Sequence, residues 1–128
     1  MVLVLRLLVV LLLHLLVPAA IALCFYRKKA LFVFGIMMAG MLVDVDHLLA
    51  SPIYDPGRCS MGFHPLHTLP AVLVYAVLCV PSATRLLGAG LIVHMLLDTG
   101  DCLTMEQGLE QMRENLVLFH SGVSVKAV

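Results

Sequence analysis

Residues 30–50 read ALFVFGIMMAGMLVDVDHLLA, an apolar run that ends by placing Asp44, Asp46 and His47 among leucines and valines. A run of this length at 1.5 Å per residue is about the thickness of a bilayer core. A carboxylate at such depth costs several kcal/mol, so it faces a partner or a functional cavity rather than lipid. The same combination recurs along the chain. His14 interrupts an apolar stretch from Val2 to Tyr26, and His94 and Asp98 interrupt one from Arg85 to Thr99. His64 and His67 lie in the short polar segment before a third stretch, Leu69–Val80.

Composition agrees with a lipid-facing chain. Of 128 residues, 62% are hydrophobic and 12% charged, about half the charged fraction of a soluble domain. Eight basic residues balance eight acidic ones, so there is no field to recruit nucleic acid, and one basic cluster, Arg27-Lys28-Lys29, makes no binding face. The expected architecture is all-α: a four-helix transmembrane bundle over residues 1–102, with metal-ligand residues gathered at one side. Residues 103–128 are expected to form an amphipathic helix and a flexible tail. Thr104-Met-Glu-Gln107 reads as its capping box, Glu106, Glu110 and Glu114 as an acidic stripe, and 121–128 as a frayed end. The first stretch is too long for a signal-peptide core and lacks a small-x-small site, so it is expected to stay as a span.

Local punctuation supports these bounds. Thr68 offers an N-cap with Pro70 in the first turn of the third segment, Pro81 and Ser82 end that segment, and Gly100 is expected to close the fourth. Pro18 removes the hydrogen bond to the His14 carbonyl and is expected to bend the first helix there. Gly35-xxx-Ala39 is a small-residue packing cue, read as a contact within the bundle.

Arg27, Lys28 and Lys29 fill one turn and Arg85 the other turn on the same side, which the positive-inside rule makes cytoplasmic. The segment 51–67 and both ends then face outward. Depth follows by arithmetic. His14 lies 13 residues before Arg27, Asp44 15 after Lys29, and Asp98 13 after Arg85, each about 20 Å from the basic side. Three helices thus bring ionisable groups to one layer in the outer half of the membrane, capped by the segment carrying His64 and His67. On an α-helix, His94, Asp98 and Asp101 share a face, as do Asp44 and His47. Asp46 points elsewhere, as a residue supporting a ligand or binding a different ion.

Imidazoles and carboxylates together suit a divalent transition metal, zinc foremost with manganese or iron as alternatives, rather than magnesium or calcium. The metal candidates are His14, Asp44, Asp46, His47, His64, His67, His94 and Asp98, with Asp101 beside them; this surplus corresponds to one to three ions. Metal-activated water would attack a phosphate or other ester, with Asp46 or Asp101 as general base. His120 has no partner pattern. An acid-phosphatase-type site needs Arg-x5-His, whereas eight residues separate Arg85 from His94. The second reading is a metal-binding membrane protein without catalysis, or a small metal transporter working as an oligomer. Cys59 and Cys102 fall on the outer side, where an oxidising compartment permits a bridge that spacing alone does not establish. The oligomeric state is not set by these features.

Three ordered motifs, Met41-Leu-Val-Asp-Val-Asp-His47, Phe63-His-Pro-Leu-His-Thr68 and Gly90-Leu-Ile-Val-His-Met-Leu-Leu-Asp98, resemble those of the YdjM-like bacterial inner-membrane proteins, to which metal-dependent hydrolysis is ascribed. The resemblance covers about residues 7–102 and is strongest to a branch sharing Asp55-Pro-Gly-Arg-Cys-Ser60. It implies a multi-pass helical bundle in the bacterial inner membrane, related to zinc-dependent phospholipase C, with a site toward the periplasm and a lipid or phosphate-ester substrate. It carries over to Asp44, Asp46, His47, His64, His67, His94 and Asp98. Many relatives have an arginine beside the histidine motif; here His64-Pro-Leu-His67 stands in that place.

Overall fold

A computed structural model describes residues 2–121 except Tyr54, Pro56 and Glu106; for Val2, Leu3 and Phe119 only the backbone is described. Every element among these residues is helical. The helices are α1 (Val2–Phe25), α2 (Ala30–Met38), α3 (Leu69–Leu78), α4 (Arg85–Leu103) and α5 (Gly108–His120). α2 continues without a break into a 3-10 helix, Ala39–Leu49, and a single 3-10 turn, Pro65–His67, precedes α3.

α1, the joined segment Arg27–Leu49, and α4 are each long and apolar enough to cross a membrane. The third segment, read from the sequence as shorter than a full span, is short in the structure too. Its helix has 10 residues, about 15 Å, because the chain leaves helical geometry before Pro81. Exposed apolar side chains such as Leu8, Leu12, Leu16, Leu31 and Phe32 cover the outer faces of α1 and α2.

The centre of the fold is α4, which packs against α1, α2 with its 3-10 extension, α3 and α5. Val43, Tyr75, Leu91 and Met95 form one apolar core, and Ala22, Val33 and Met37 a second. The crossing of α2 with α4 depends on glycine. A Cβ on Gly90 would stand 2.7 Å from Met37 Cα, and one on Gly40 would stand 3.0 Å from the Gly90 carbonyl carbon. Gly35, the packing residue expected from sequence, meets nothing within 4 Å; the close approach lies at Gly40 and Gly90 instead.

Two boundary expectations are corrected, and a third holds in position without its capping bond. α4 runs through Gly100 to Leu103, since a glycine inside a helix costs only about 1 kcal/mol when tertiary contacts hold both flanks. Thr104 ends α4 rather than starting the next helix, its hydroxyl donating to the Asp101 carbonyl at 2.7 Å. Thr68 occupies the N-cap position of α3 in extended geometry, but its hydroxyl donates back to the Pro65 carbonyl at 2.9 Å. α1 is helical on both sides of Pro18. The Glu106 part of the capping box and acidic stripe, and the frayed end 122–128, lie outside the described residues.

The segment between the 3-10 helix and α3 is held from two sides. Cys59 and Cys102 form a disulfide linking it to the end of α4. From α5, the Gln111 side chain accepts the Cys59 amide (2.9 Å) and donates to the Gly57 carbonyl (3.0 Å), while Asn115 Nδ2 donates to the Met61 carbonyl (3.0 Å). Gly62 sits at φ +78°, and its amide donates to the His67 carbonyl. These bonds set where His67 enters the bundle.

Candidate metal centre

The 3-10 geometry of residues 39–49 determines how the acidic motif is presented. With three residues per turn, side chains at i and i+3 eclipse, and burial follows that period. Gly40, Val43 and Asp46 are buried; Met41, Asp44 and His47 are partly buried; Leu42, Val45 and Leu48 are exposed. Two adjacent stripes therefore face inward, and both aspartates reach the same interior. The expectation from α-helical spacing had Asp46 pointing away.

Asp44, His67, His94 and Asp98 bring one ligand atom each within 4.8 Å of one another. His67 Nε2 stands 3.1 Å from Asp98 Oδ2 and 3.4 Å from Asp44 Oδ1. His94 Nε2 stands 3.1 Å from Asp44 Oδ1 and 3.6 Å from Asp98 Oδ2. Donors bound about 2.0–2.1 Å from one tetrahedral ion lie about 3.3 Å apart, so these spacings suit a single metal. His67 and His94 are buried, and Asp98 nearly so.

Each ring nitrogen on the far side is occupied. His67 Nδ1 donates to Asp46 Oδ2 at 3.1 Å, an oxygen that also accepts the Leu66 amide at 2.8 Å. His94 Nδ1 donates to the Met41 thioether at 3.3 Å. His14 Nδ1 donates to the Val10 carbonyl at 2.8 Å, and its Nε2 stands 3.3 Å from Asp98 Oδ1. A neutral imidazole that donates through Nδ1 keeps its lone pair on Nε2. In the neutral form that a ligand must take, all three rings would aim such a lone pair at two carboxylates that themselves only accept. Among the described residues, the buried side-chain nitrogens and oxygens without a hydrogen bond are His14 Nε2 and His67 Nε2. A cation between these nitrogens and the carboxylates satisfies both.

A second group, Asp46, His47 and His67, also has ligand atoms within 4.8 Å. It uses His67 Nδ1, and a neutral imidazole has one lone pair, so the two groups compete for His67. The Asp46 contact leaves Nε2 as the nitrogen that could bind an ion, with Asp46 behind the ring in the carboxylate–histidine arrangement common at metal sites. His47 is placed between the groups. Its Nδ1 is 3.2 Å from Asp46 Oδ1 and 3.6 Å from Asp44 Oδ1, and its Nε2 is 3.3 Å from Ser60 Oγ.

The remaining candidates stand apart from the four donors. His64 is buried, with its ring stacked on His47 at 3.8 Å between centroids, and belongs to neither group. Burial and the neighbouring His47 charge hold its pKa down at about 4. His67 lies outside the long apolar helices; burial lowers its pKa, but the facing Asp44, Asp98 and Asp46 carboxylates outweigh that and raise it to about 10. Asp101 is engaged by Arg6, whose Nε donates to Oδ1 at 2.8 Å and whose Nη2 donates to the Asp101 carbonyl at 3.1 Å. Arg6 and Ser60 were not singled out in the sequence. A lone arginine four residues inside an apolar helix is the one signal that pointed to Arg6.

The donor cluster opens on a cavity of about 280 Å³ whose walls include Arg6, Val10, His14, Asp44, His47 and Asp98. Asp44 forms its most open edge, with 39% of its side chain exposed against none for His67.

Residues 4–105 match the family of unknown function DUF6122, and the chain belongs to that family. No curated protein and no solved structure matches it.

Proposed function

We propose that this member of the DUF6122 family is a multi-pass membrane hydrolase that uses a divalent transition metal, zinc by its donor set, on an ester or phosphate ester of a lipid. The observation that carries the reading is the open edge of the donor cluster. Structural zinc sites are closed by four protein ligands in a packed interior, whereas catalytic sites keep access for water and substrate. Here Asp44 and Asp98 line a cavity large enough for an ester group. A bound metal supplies Lewis acidity and lowers the pKa of water.

The chain's own residues do the rest. Asp44, His67, His94 and Asp98 hold the ion, and Asp46 fixes the His67 ring by accepting from Nδ1. Asp101, paired with Arg6 on the same cavity, is the acid–base candidate left with access to substrate. Asp46, engaged by Leu66, His67 and His47, acts through His67.

The likeness of the three motifs to YdjM-like proteins supports a bacterial inner-membrane location. Two features support a site on the periplasmic side. The basic turns at Arg27–Lys29 and Arg85 lie at the far ends of the helices from the donors. The Cys59–Cys102 bridge lies at the donor end, and disulfides persist in oxidising compartments.

One observation favours the second reading, a metal-binding or metal-transporting membrane protein. Two carboxylates and two imidazoles complete a tetrahedron and neutralise a divalent ion by themselves. The test is purified full chain in lipid vesicles, with bound metal measured alongside hydrolysis of lipid and generic phosphodiester substrates, supplied with zinc or manganese. Hydrolysis that needs metal and is lost with Asp98→Asn supports the enzyme. Bound metal with no hydrolysis of any substrate favours the second reading, and activity surviving chelation overturns metal catalysis.

A further inference from the structure

We infer that Asp98 is a bridging carboxylate and that His14 ligates a second divalent transition-metal ion beside the first. This rests on the metal reading above and deepens it from one ion to two. The two oxygens of Asp98 meet different histidines. Oδ2 faces His67 Nε2 (3.1 Å) and His94 Nε2 (3.6 Å), and Oδ1 faces His14 Nε2 (3.3 Å). The two buried nitrogens that make no hydrogen bond, His67 Nε2 and His14 Nε2, therefore each meet a different oxygen of one carboxylate.

His14 is 4% exposed on an apolar helix, a costly place for an imidazole without a purpose. Its tautomer is set, because Nδ1 donates to the Val10 carbonyl. Nε2 then presents a lone pair to an oxygen that also has only lone pairs. The pair stands at 3.3 Å, and Nε2 has no well-formed hydrogen bond there. The separation is that of two donors on one ion, about 3.3 Å for bonds of about 2.0–2.1 Å.

The second position also has room. His14 and Asp98 both line the cavity of about 280 Å³, together with Asp44, His47 and Asp101. Two protein donors leave the other coordination positions to water or to a substrate oxygen, which fits an ion on the open side. Ions on the two oxygens of one carboxylate fall in the range of two-metal hydrolytic sites, about 3.5–4 Å apart. The first ion is held by four residues, and the second, held by two, has more positions open to the cavity.

The test uses the full chain in detergent, stripped of metal and reloaded with manganese, read by elemental analysis and by electron paramagnetic resonance. Two ions per chain with a spin-coupled signal are expected for the unaltered protein. His14→Ala should hold one ion with an uncoupled signal, and His14→Gln, closer in volume, should do the same. Retention of one ion and of the oxidised Cys59–Cys102 pair shows that these variants are folded. One ion per chain, unchanged in both variants, overturns the second site and leaves the first standing. No ion in the unaltered protein overturns both. Two ions without hydrolysis support this inference while failing the proposed enzyme.

Discussion

Asp46 Oδ2 accepts a hydrogen bond from His67 Nδ1 at 3.1 Å across 21 residues of sequence, and this contact turns His67 Nε2 toward Asp44 and Asp98. The same oxygen accepts the Leu66 amide, so ring and backbone are positioned together. Asp46→Asn keeps the volume but removes the charge and can present an amide N–H to the ring. We expect metal affinity to fall about 10–100-fold, the usual effect of losing a carboxylate behind a histidine ligand, with the helical content unchanged. Competition titration against a chelator measures it; an unchanged affinity would show that Asp46 does not hold the ligand.

His67 gives the centre a pH dependence of known sign. Its folded pKa is raised to about 10 from an ordinary 6.5, so in metal-free protein it contributes stability that is fully present below about pH 6.5 and is lost as pH rises through 10. His64, lowered to about 4, contributes stability present above 6.5 and lost as pH falls toward 4. A ligating His67 must give up its proton, so apparent metal affinity should rise about tenfold per pH unit between 6.5 and 10. Thermal unfolding of metal-free and loaded protein across this range should show the alkaline loss only in the metal-free form. Affinity that is flat with pH contradicts the assignment.

The helix crossing makes a sharper demand on structure. A Cβ at Gly90 collides with the backbone of Met37, which has no rotamer to yield. Gly90→Ala should therefore cost about 1–3 kcal/mol, as overpacking does, and should loosen the donors by moving α4 away from α2. Gly35→Ala, inside α2 with nothing within 4 Å, should instead stabilise by up to about 1 kcal/mol, the gain in helix propensity. Unfolding midpoints in one detergent compare the two, and equal effects would contradict the crossing.

The disulfide tests both topology and assembly. Cys59 and Cys102 join the segment carrying His67 to the end of α4 carrying Asp98. Replacing both by serine should lower stability by about 2–5 kcal/mol and weaken metal retention. In cells, the pair should be oxidised, read as a mobility shift on reduction under denaturing conditions. Two free thiols in freshly trapped membranes would place this end in the reducing cytoplasm and reverse the proposed orientation.

Much of the fold was legible because hydrophobic patterning is local. Long apolar runs with few charges give helices, and counting from the basic turns placed His14, Asp44 and Asp98 at one depth, where the structure brings them together. His94 was legible as a ligand candidate because an imidazole on an apolar helix is costly without a partner, and His67 because its polar segment caps the same layer. Asp101 shares the cavity but is engaged by Arg6, and His64 stacks on His47 outside both donor groups.

The amino-acid sequence by itself determined the helical class, the layer at which ionisable groups collect, and the donor types available, because each depends on composition and on spacing along one chain. Tertiary structure alone decided which donor atom faces which. Tight packing of α2 on α4 through Gly40 and Gly90 accompanies a 3-10 twist in residues 39–49 that brings Asp46 and Asp44 inward together. The disulfide and α5 then hold the segment that delivers His67. A metal centre at this cluster would require atoms from three elements to agree within tenths of an ångström, and no periodicity along a single helix contains that information.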